Sequence, residues 1–226
     1  MNYLFAEALI ETIPSKNKKE DDFILQALSN DEDAYIRSLA AENLVQMSGE
    51  ASLQLLLKLA DDPETTVRVN AFDSLGSFDC LSARKKLKKA IQNEPDELAR
   101  YYAIISYADL MQGDLEDDSF IRFVQHNDSS SICKLAYSYA LYLLGNDNQL
   151  DLLLAGLRNA EDYHIRCITA TLLQGLINKS NRNIILNSLY QALKIEKTTA
   201  VISHLSHILC NEDRHSFLQR AMQKKK

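Results

Sequence analysis

The stretch Asp31–Met47, DEDAYIRSLAAENLVQM, aligns without a gap on Asp62–Phe78, DPETTVRVNAFDSLGSF. Both begin with an acidic residue, carry an arginine six positions later (Arg37 and Arg68), and place an alanine three positions after that arginine. The arginine position recurs along the chain at residues 37, 68, 100, 133, 166 and 199, with spacings of 31 to 33 residues. A period this constant predicts a repeated structural unit.

Each unit has the pattern of two helices joined by a short polar corner. In the first, Ile36, Ala40, Leu44 and Met47 follow the spacing of one apolar helix face. A second apolar segment precedes each copy, and the Asp, Asn, Ser and Pro residues between the segments suit helix N-termini. Only six Gly and three Pro in 226 residues favour helices over strands. The sequence predicts an all-α fold, a right-handed α-α superhelix of about six two-helix repeats with an extra N-terminal helix.

The chain is interpreted as one domain over residues 1–226, because the repeats must stack to bury their apolar faces. It would start with a capping helix over 1–13 and finish with a C-terminal end over 212–226. The six repeats are predicted at 23–49, 51–79, 82–112, 116–145, 148–178 and 181–211.

The acid–x5–Arg–x2–Ala pattern resembles that of the HEAT-repeat superfamily, in particular the short bacterial-style repeats of phycobilin lyase subunits. The resemblance implies a ladder of corner acids and helix-B arginines between adjacent repeats. Carried over by position, the ladder residues would be Asp31/Arg37, Asp62/Arg68, Glu94/Arg100 and, without an acid at Ala160, Arg166. The ladder would be interrupted at Asn127/Cys133, and Glu161 or Asp162 could replace the acid missing at Ala160.

Members of that superfamily include adaptors, scaffolds, lyase-associated chaperones, a di-iron hydroxylase and a DNA glycosylase group. The hydroxylase-like repeats use His-Glu dipeptides as metal ligands, and none of the five histidines here precedes a glutamate. His204 and His207, three residues apart on one helix, are not joined by a third ligand in the sequence nearby. With no nucleophile–base arrangement or Gly-rich phosphate loop either, we expect no metal, no cofactor and no enzymatic activity.

Charge and hydropathy narrow the partner class. The formal net charge of −6 opposes nucleic-acid binding, and the strongest basic run, Arg84–Lys89, is expected on the convex outer face. No apolar run approaches the 18 residues of a membrane span, and the N-terminus lacks the basic region of a secretory signal. The four cysteines show no metal-ligand spacing, which favours a reduced, cytoplasmic protein.

The candidate binding groove follows from the helix-B register. Positions one, five and nine after each arginine position point away from the predicted core stripe, toward the concave side of such a solenoid. The predicted groove residues are Asp73, Tyr101, Ile105, Asp109, Lys134, Ser138 and Tyr142. We expect exposed rings at Tyr101 and Tyr142, since tyrosine is enriched in binding surfaces, and core positions for Tyr102, Tyr107 and Tyr139.

The leading functional hypothesis is a non-catalytic module or adaptor that captures a protein or peptide segment in this groove. One alternative is a bilin-lyase-like chaperone or enzyme subunit that holds a planar ligand between the groove aromatics. Another is a small acidic toxin-neutralising protein, which the net charge permits. Of these classes, only the planar-ligand protein needs an aromatic pocket.

Overall fold

The computed structural model describes residues 2–13, 18–47, 49–111 and 118–223, except the side chains of residues 118 and 214–223. These residues form thirteen α-helices and no strand, which confirms the predicted all-α repeat fold. A short 3-10 turn, Leu44–Gln46, follows the third helix. The helices are α1 (Tyr3–Ile10), α2 (Lys18–Leu28), α3 (Ala34–Asn43), α4 (Glu50–Leu59), α5 (Thr65–Leu75), α6 (Leu81–Asn93), α7 (Glu97–Leu110), α8 (Asp118–Asn127), α9 (Ser131–Leu143), α10 (Gln149–Asn159), α11 (Tyr163–Gly175), α12 (Arg182–Ile195) and α13 (Thr199–Gln223).

The chain divides into two compact units, Met1–Ala140 and Leu141–Lys226. The first unit holds α1 to α8 and most of α9, and the second holds the end of α9 and α10 to α13. After α1, the helices follow one another as six pairs, from α2/α3 to α12/α13. We call the first helix of each pair helix A and the second helix B. The single domain and the exact repeat boundaries stay predictions.

Small side chains allow the B helices of the first unit to approach closely. Helix α5 packs between α3 and α7, and the Ser74 hydroxyl donates a 2.8 Å hydrogen bond to the carbonyl of Ala41 on α3. At the same end of α5, just after its last residue, a Cβ added to Gly76 would lie 3.0 Å from the Cβ of Ser106 on α7. Any larger residue at Gly76 would therefore push α7 away from α5.

The cores of the first four repeats are built on the alanine that follows the arginine position. Ala40, Ala71, Ala103 and Ala136 are all fully buried. In the first repeat, Ala40 packs with Leu28, Ile36 and Ala6, so α1 closes the end of this core. A buried side chain this small leaves room for the neighbouring helix at each repeat, which explains why the alanine recurs.

Candidate functional site

The repeated arginines join each repeat of a unit to the next one. The guanidinium of Arg68 donates two hydrogen bonds to the Glu94 carboxylate, from Nε at 2.9 Å and from Nη2 at 2.8 Å. Its Nη1 donates to the main-chain carbonyls of Asp62 and Pro63, in the corner of its own repeat. The same two-pronged contact recurs at Arg37–Asp62, Arg100–Asp128 and Arg166–Glu196.

The ladder joins adjacent repeats, as the resemblance implied, and each arginine binds the acid of the next corner: Arg37 binds Asp62, Arg68 binds Glu94 and Arg100 binds Asp128. Each of these acids accepts a main-chain hydrogen bond within its own turn. In Asp62, for example, one carboxylate oxygen accepts the N–H of Glu64 at 3.0 Å. The same Asp62 carboxylate also accepts hydrogen bonds from Arg37, which lies in the preceding repeat. An arginine thus binds the backbone of its own corner and the carboxylate of the next one.

The fourth and fifth repeats depart from the predicted ladder in two ways. The acid of the fourth corner is Asp128 rather than position 127, and it accepts hydrogen bonds from Arg100 and, at 3.1 Å, from the Tyr137 hydroxyl. Among the described side chains of the fifth corner, no hydrogen bond joins Glu161 or Asp162 to an arginine of the preceding repeat, which has Cys133 in the arginine position, and the Asp162 carboxylate caps helix α11. The ladder arginines are all engaged in holding corners together, which leaves the exposed helix faces for binding.

Cys133 occupies the arginine position of the fourth repeat and is buried. Its sulfur lies 3.4 Å from the carbonyl oxygen of Glu97. Burial raises the pKa of the Cys133 thiol to about 11, so the thiol stays protonated at neutral pH. The residue therefore has the environment of a structural cysteine rather than of a nucleophile.

Three exposed carboxylates lie on successive B helices of the first unit: Glu42 on α3, Asp73 on α5 and Asp109 on α7. We call this set the acidic face. Among the described side chains, Glu42 and Asp73 have no hydrogen-bond or ion-pair partner, and Asp109 accepts a 2.7 Å hydrogen bond from the Tyr139 hydroxyl. The acidic face thus has no cation of its own in the described part of the first unit.

The electrostatics of the acidic face are unfavourable without a partner. Partial burial raises the pKa of Asp73, and the nearby charges of Asp109 and Glu42 raise it further. Burial also raises the pKa of Asp109, against the opposing effect of the Tyr139 hydrogen bond. A raised pKa means that the charged form of each aspartate is disfavoured in the folded protein. A cation bound at this face would relieve the repulsion.

Tyr101 and Ser138 do not lie at the surface, and their prediction as groove residues is wrong. Tyr101 is only 8% exposed, and its ring packs edge-to-face against Tyr102 with a centroid distance of 5.3 Å. Ser138 is also buried. The position directly after the arginine lies between stacked B helices in the first three repeats, where Ser38 and Val69 are buried as well.

The other predicted groove residues remain at or near the surface. Lys134 is exposed and Ile105 is half-buried. Tyr142, in the second unit, is half-buried rather than exposed, and its hydroxyl accepts a 2.9 Å hydrogen bond from the Asn181 side chain. Tyr107 and Tyr139 are buried, in line with the core positions expected for them, and Tyr102 is half-buried.

Within the described residues, no three His, Cys, Asp or Glu side chains come together as metal ligands would. His204 and His207 of α13 bind separate neighbours: His204 Nε2 lies 2.9 Å from the Thr171 hydroxyl, and His207 Nε2 lies 3.0 Å from the Asn211 amide. The described helices also include none that combines the length and the apolar character needed to cross a membrane.

Sequence reasoning missed two clefts of the first unit, which lie where the corners of adjacent repeats meet. One, of about 440 Å³, is lined by the Arg68–Glu94 bridge, and the other, of about 430 Å³, is lined by the Arg100–Asp128 bridge. The residue in the sequence that marks the second cleft is Phe123. As an apolar residue in the predicted helix A of the fourth repeat, it would be expected in the core, but in the structure its ring is 66% exposed beside the cleft.

Replacing Asp73 with asparagine is expected to stabilise the fold at pH 7. Because the pKa of Asp73 is higher in the folded chain than in the unfolded chain, the folded state binds the proton more tightly. At pH values above the folded-state pKa of Asp73, the ionised carboxylate therefore lowers the stability of the fold. This cost disappears as the pH falls through the folded-state pKa toward the unfolded-state pKa. Urea unfolding should show a higher midpoint for Asp73→Asn at pH 7, and a smaller difference at pH 3.5.

The matched control is Asp151→Asn, which removes an exposed carboxylate in the second unit. Its midpoint should follow the parent protein at both pH values. If Asp73→Asn lowers the midpoint at pH 7, the carboxylate is stabilised by a contact that outweighs its repulsion.

Part of the chain matches a known repeat family. Residues 22–108 match the HEAT repeats family. No curated protein matches the chain. A solved structure with the same fold is a chain of the complex of CpcE and CpcF of phycocyanin lyase from Nostoc sp. PCC7120, at 16% identity and a TM-score of 0.57, covering 91% of this chain and 94% of that one. Human deoxyhypusine hydroxylase in complex with glycerol matches at 17% identity over 91% of this chain and 95% of that one, but its TM-score is only 0.36.

Proposed function

We propose that this HEAT-repeat protein is a non-catalytic binding module that captures a basic protein or peptide segment on its acidic face. The observation that carries the proposal is the alignment of Glu42, Asp73 and Asp109 on three stacked B helices without a cationic neighbour among the described side chains. Carboxylates that repel one another lower stability, and such a cost is typical of surfaces kept for binding. Lysine or arginine side chains of a partner would supply the missing charge.

The half-buried side chains between the carboxylates support a peptide rather than a metal ion as the ligand. Tyr102 and Ile105 lie on the same helix as Asp109 and offer apolar area to the aliphatic stems of basic residues. Neighbouring helices lie roughly 8–10 Å apart, which an extended chain spans in about three residues. The favoured segment therefore carries a basic residue at about every third position.

The remaining features of the proposal concern the class of partner and the compartment. A protein partner is supported by the phycocyanin lyase structure, whose chains form a complex with each other. The net charge of −6 and the acidic face oppose binding to the phosphates of nucleic acid. All four cysteines are free, which suits the reducing cytoplasm that we propose as the location.

No observation favours the planar-ligand alternative. The aromatic groove expected for such a ligand rests on Tyr101 and Tyr142, but the ring of Tyr101 is buried and the hydroxyl of Tyr142 binds Asn181. The toxin-neutralising alternative rests on net charge alone.

The proposal is tested with a fluorescein-labelled twelve-residue peptide that has lysine at every third position and serine, glycine and alanine elsewhere. We expect salt-sensitive binding by fluorescence anisotropy, and a loss of affinity of about tenfold or more in the triple variant Glu42→Gln, Asp73→Asn, Asp109→Asn. These substitutions keep the shape of each side chain and remove its charge. The asparagine oxygen at position 109 can still accept the Tyr139 hydrogen bond.

The matched control removes three exposed carboxylates elsewhere: Glu11→Gln, Asp147→Asn and Asp151→Asn. It changes the net charge by the same amount and should leave affinity within about twofold. An equal loss in the two triple variants would mean that the peptide responds to net charge and that the acidic face is no binding site. Equal binding of a peptide with glutamate in place of lysine would also refute the proposal.

A further inference from the structure

The two corner clefts of the first unit are built alike but differ in the chemistry of their rims. Helix α6 contributes to both of them. The first, which we call the lysine cleft, has Phe72 and Ala90 as apolar walls and Lys86 and Lys89 at its rim. The second, which we call the phenylalanine cleft, has apolar walls from Ile91 and Val124 and the exposed ring of Phe123 at its rim.

The clefts recur because the arginine bridges hold the corners at a fixed distance. A third cleft, of about 290 Å³, lies above the Arg166–Glu196 bridge in the second unit. The space above a bridge is thus a property of the repeat and is not in itself a binding site. What distinguishes the second and third corners of the first unit is the side chains that project over that space.

The rim of the lysine cleft presents positive charge that the protein does not fully neutralise. Lys86 pairs with Asp61 at 2.5 Å, whereas the exposed Lys89 has no ion-pair partner among the described residues. Lys85, on the same helix, is also exposed but does not line the cleft. A carboxylate entering beside the apolar wall of Phe72 would meet the Lys89 ammonium in a partly desolvated site.

The rim of the phenylalanine cleft presents apolar area to solvent. The neighbouring ring of Phe120 is covered, because the Lys88 ammonium lies 4.4 Å from its centroid and Tyr107 packs against its edge. Phe123 has no such cover and is 66% exposed. An apolar side chain placed in the cleft would bury part of this ring together with Val124.

We propose that this corner edge of the second to fourth repeats is a second interaction surface, which takes an extended segment with an acidic and an apolar residue. The acidic side chain enters the lysine cleft and the apolar side chain enters the phenylalanine cleft. Adjacent repeats lie roughly 10 Å apart, so the two residues are separated by about three positions in an extended chain. The surface prefers the opposite charge from the acidic face, so either proposal can fail without the other.

The test is a display selection of random twelve-residue peptides on the full chain. We expect enriched peptides with an aspartate or glutamate about three positions from a leucine, isoleucine or phenylalanine. A labelled peptide of that consensus should lose at least about fivefold in affinity in Lys89→Glu and in Phe123→Ser. Both substituted residues are exposed, so far-UV circular dichroism should remain unchanged.

Each variant has a matched control on the same protein. Lys85→Glu reverses an exposed charge on α6 outside the cleft, and Leu81→Ser removes a 66% exposed apolar side chain at the start of α6. Neither should change affinity by more than about twofold. Equal losses in the controls, or a selection that yields no acidic–apolar consensus, would overturn the proposal. A selection that yields only basic peptides, whose binding is lost only in the acidic-face variant, would support the proposed function and overturn this second surface.

Discussion

Replacing Arg68 with alanine is expected to lower the free energy of unfolding by about 3 kcal/mol. The Arg68 side chain is only 14% exposed and the Glu94 side chain only 6% exposed, so both are largely shielded from water. Removing the arginine would leave Glu94 without its bidentate partner and two corner carbonyls without their donor. Unpaired buried groups, rather than the lost attraction alone, account for most of the cost.

The measurement is urea unfolding followed by circular dichroism, with Arg84→Ala as the matched control. Arg84 also pairs with an aspartate, Asp79, but their side chains are 33% and 71% exposed. An exposed pair of this kind contributes less than about 1 kcal/mol. If Arg68→Ala costs no more than Arg84→Ala, the ladder is a surface feature and its arginines are open to ligands.

The ladder shows what a repeat pattern can and cannot predict. The period located Arg37, Arg68, Arg100 and Arg166 correctly, because each holds its own corner through the backbone. The carboxylate that each arginine binds lies 25 to 30 residues further along the chain. A sequence with a constant period offers one acid near each arginine and another one repeat away, and only the stacking of the repeats decides between them.

The candidate site shows the same limit at the level of helix register. Helical spacing placed Asp73 and Asp109 on the face that points away from the core stripe, and they are exposed. It failed at the position directly after the arginine, because burial there depends on how closely neighbouring B helices approach. Ser38, Val69 and Tyr101 share that position and are all buried. Their different sizes and polarities give no apolar signature in the sequence.

The buried ring of Tyr101 leads to the second large effect, a loss of about 3 kcal/mol in the free energy of unfolding for Tyr101→Ala. Only 8% of the residue is exposed, and the ring packs edge-to-face on Tyr102. Burial raises the pKa of the Tyr101 hydroxyl, which is consistent with a phenol enclosed by its neighbours. The truncation would remove this aromatic contact and leave a cavity between α7 and the helices stacked on it.

Two control variants show how much of the loss in the free energy of unfolding comes from the buried ring of Tyr101. One removes only the hydroxyl, and the other removes an exposed tyrosine ring elsewhere. Tyr101→Phe should cost less than about 1 kcal/mol, because the hydroxyl has no hydrogen-bond partner among the described residues. Tyr163→Ala removes a 39% exposed ring at the start of α11 and should likewise cost less than about 1 kcal/mol. An unfolding midpoint for Tyr101→Ala equal to that of Tyr163→Ala would place the Tyr101 ring at the surface. That result would support the prediction of Tyr101 as a groove residue, and an exposed aromatic ring would then lie next to the acidic face.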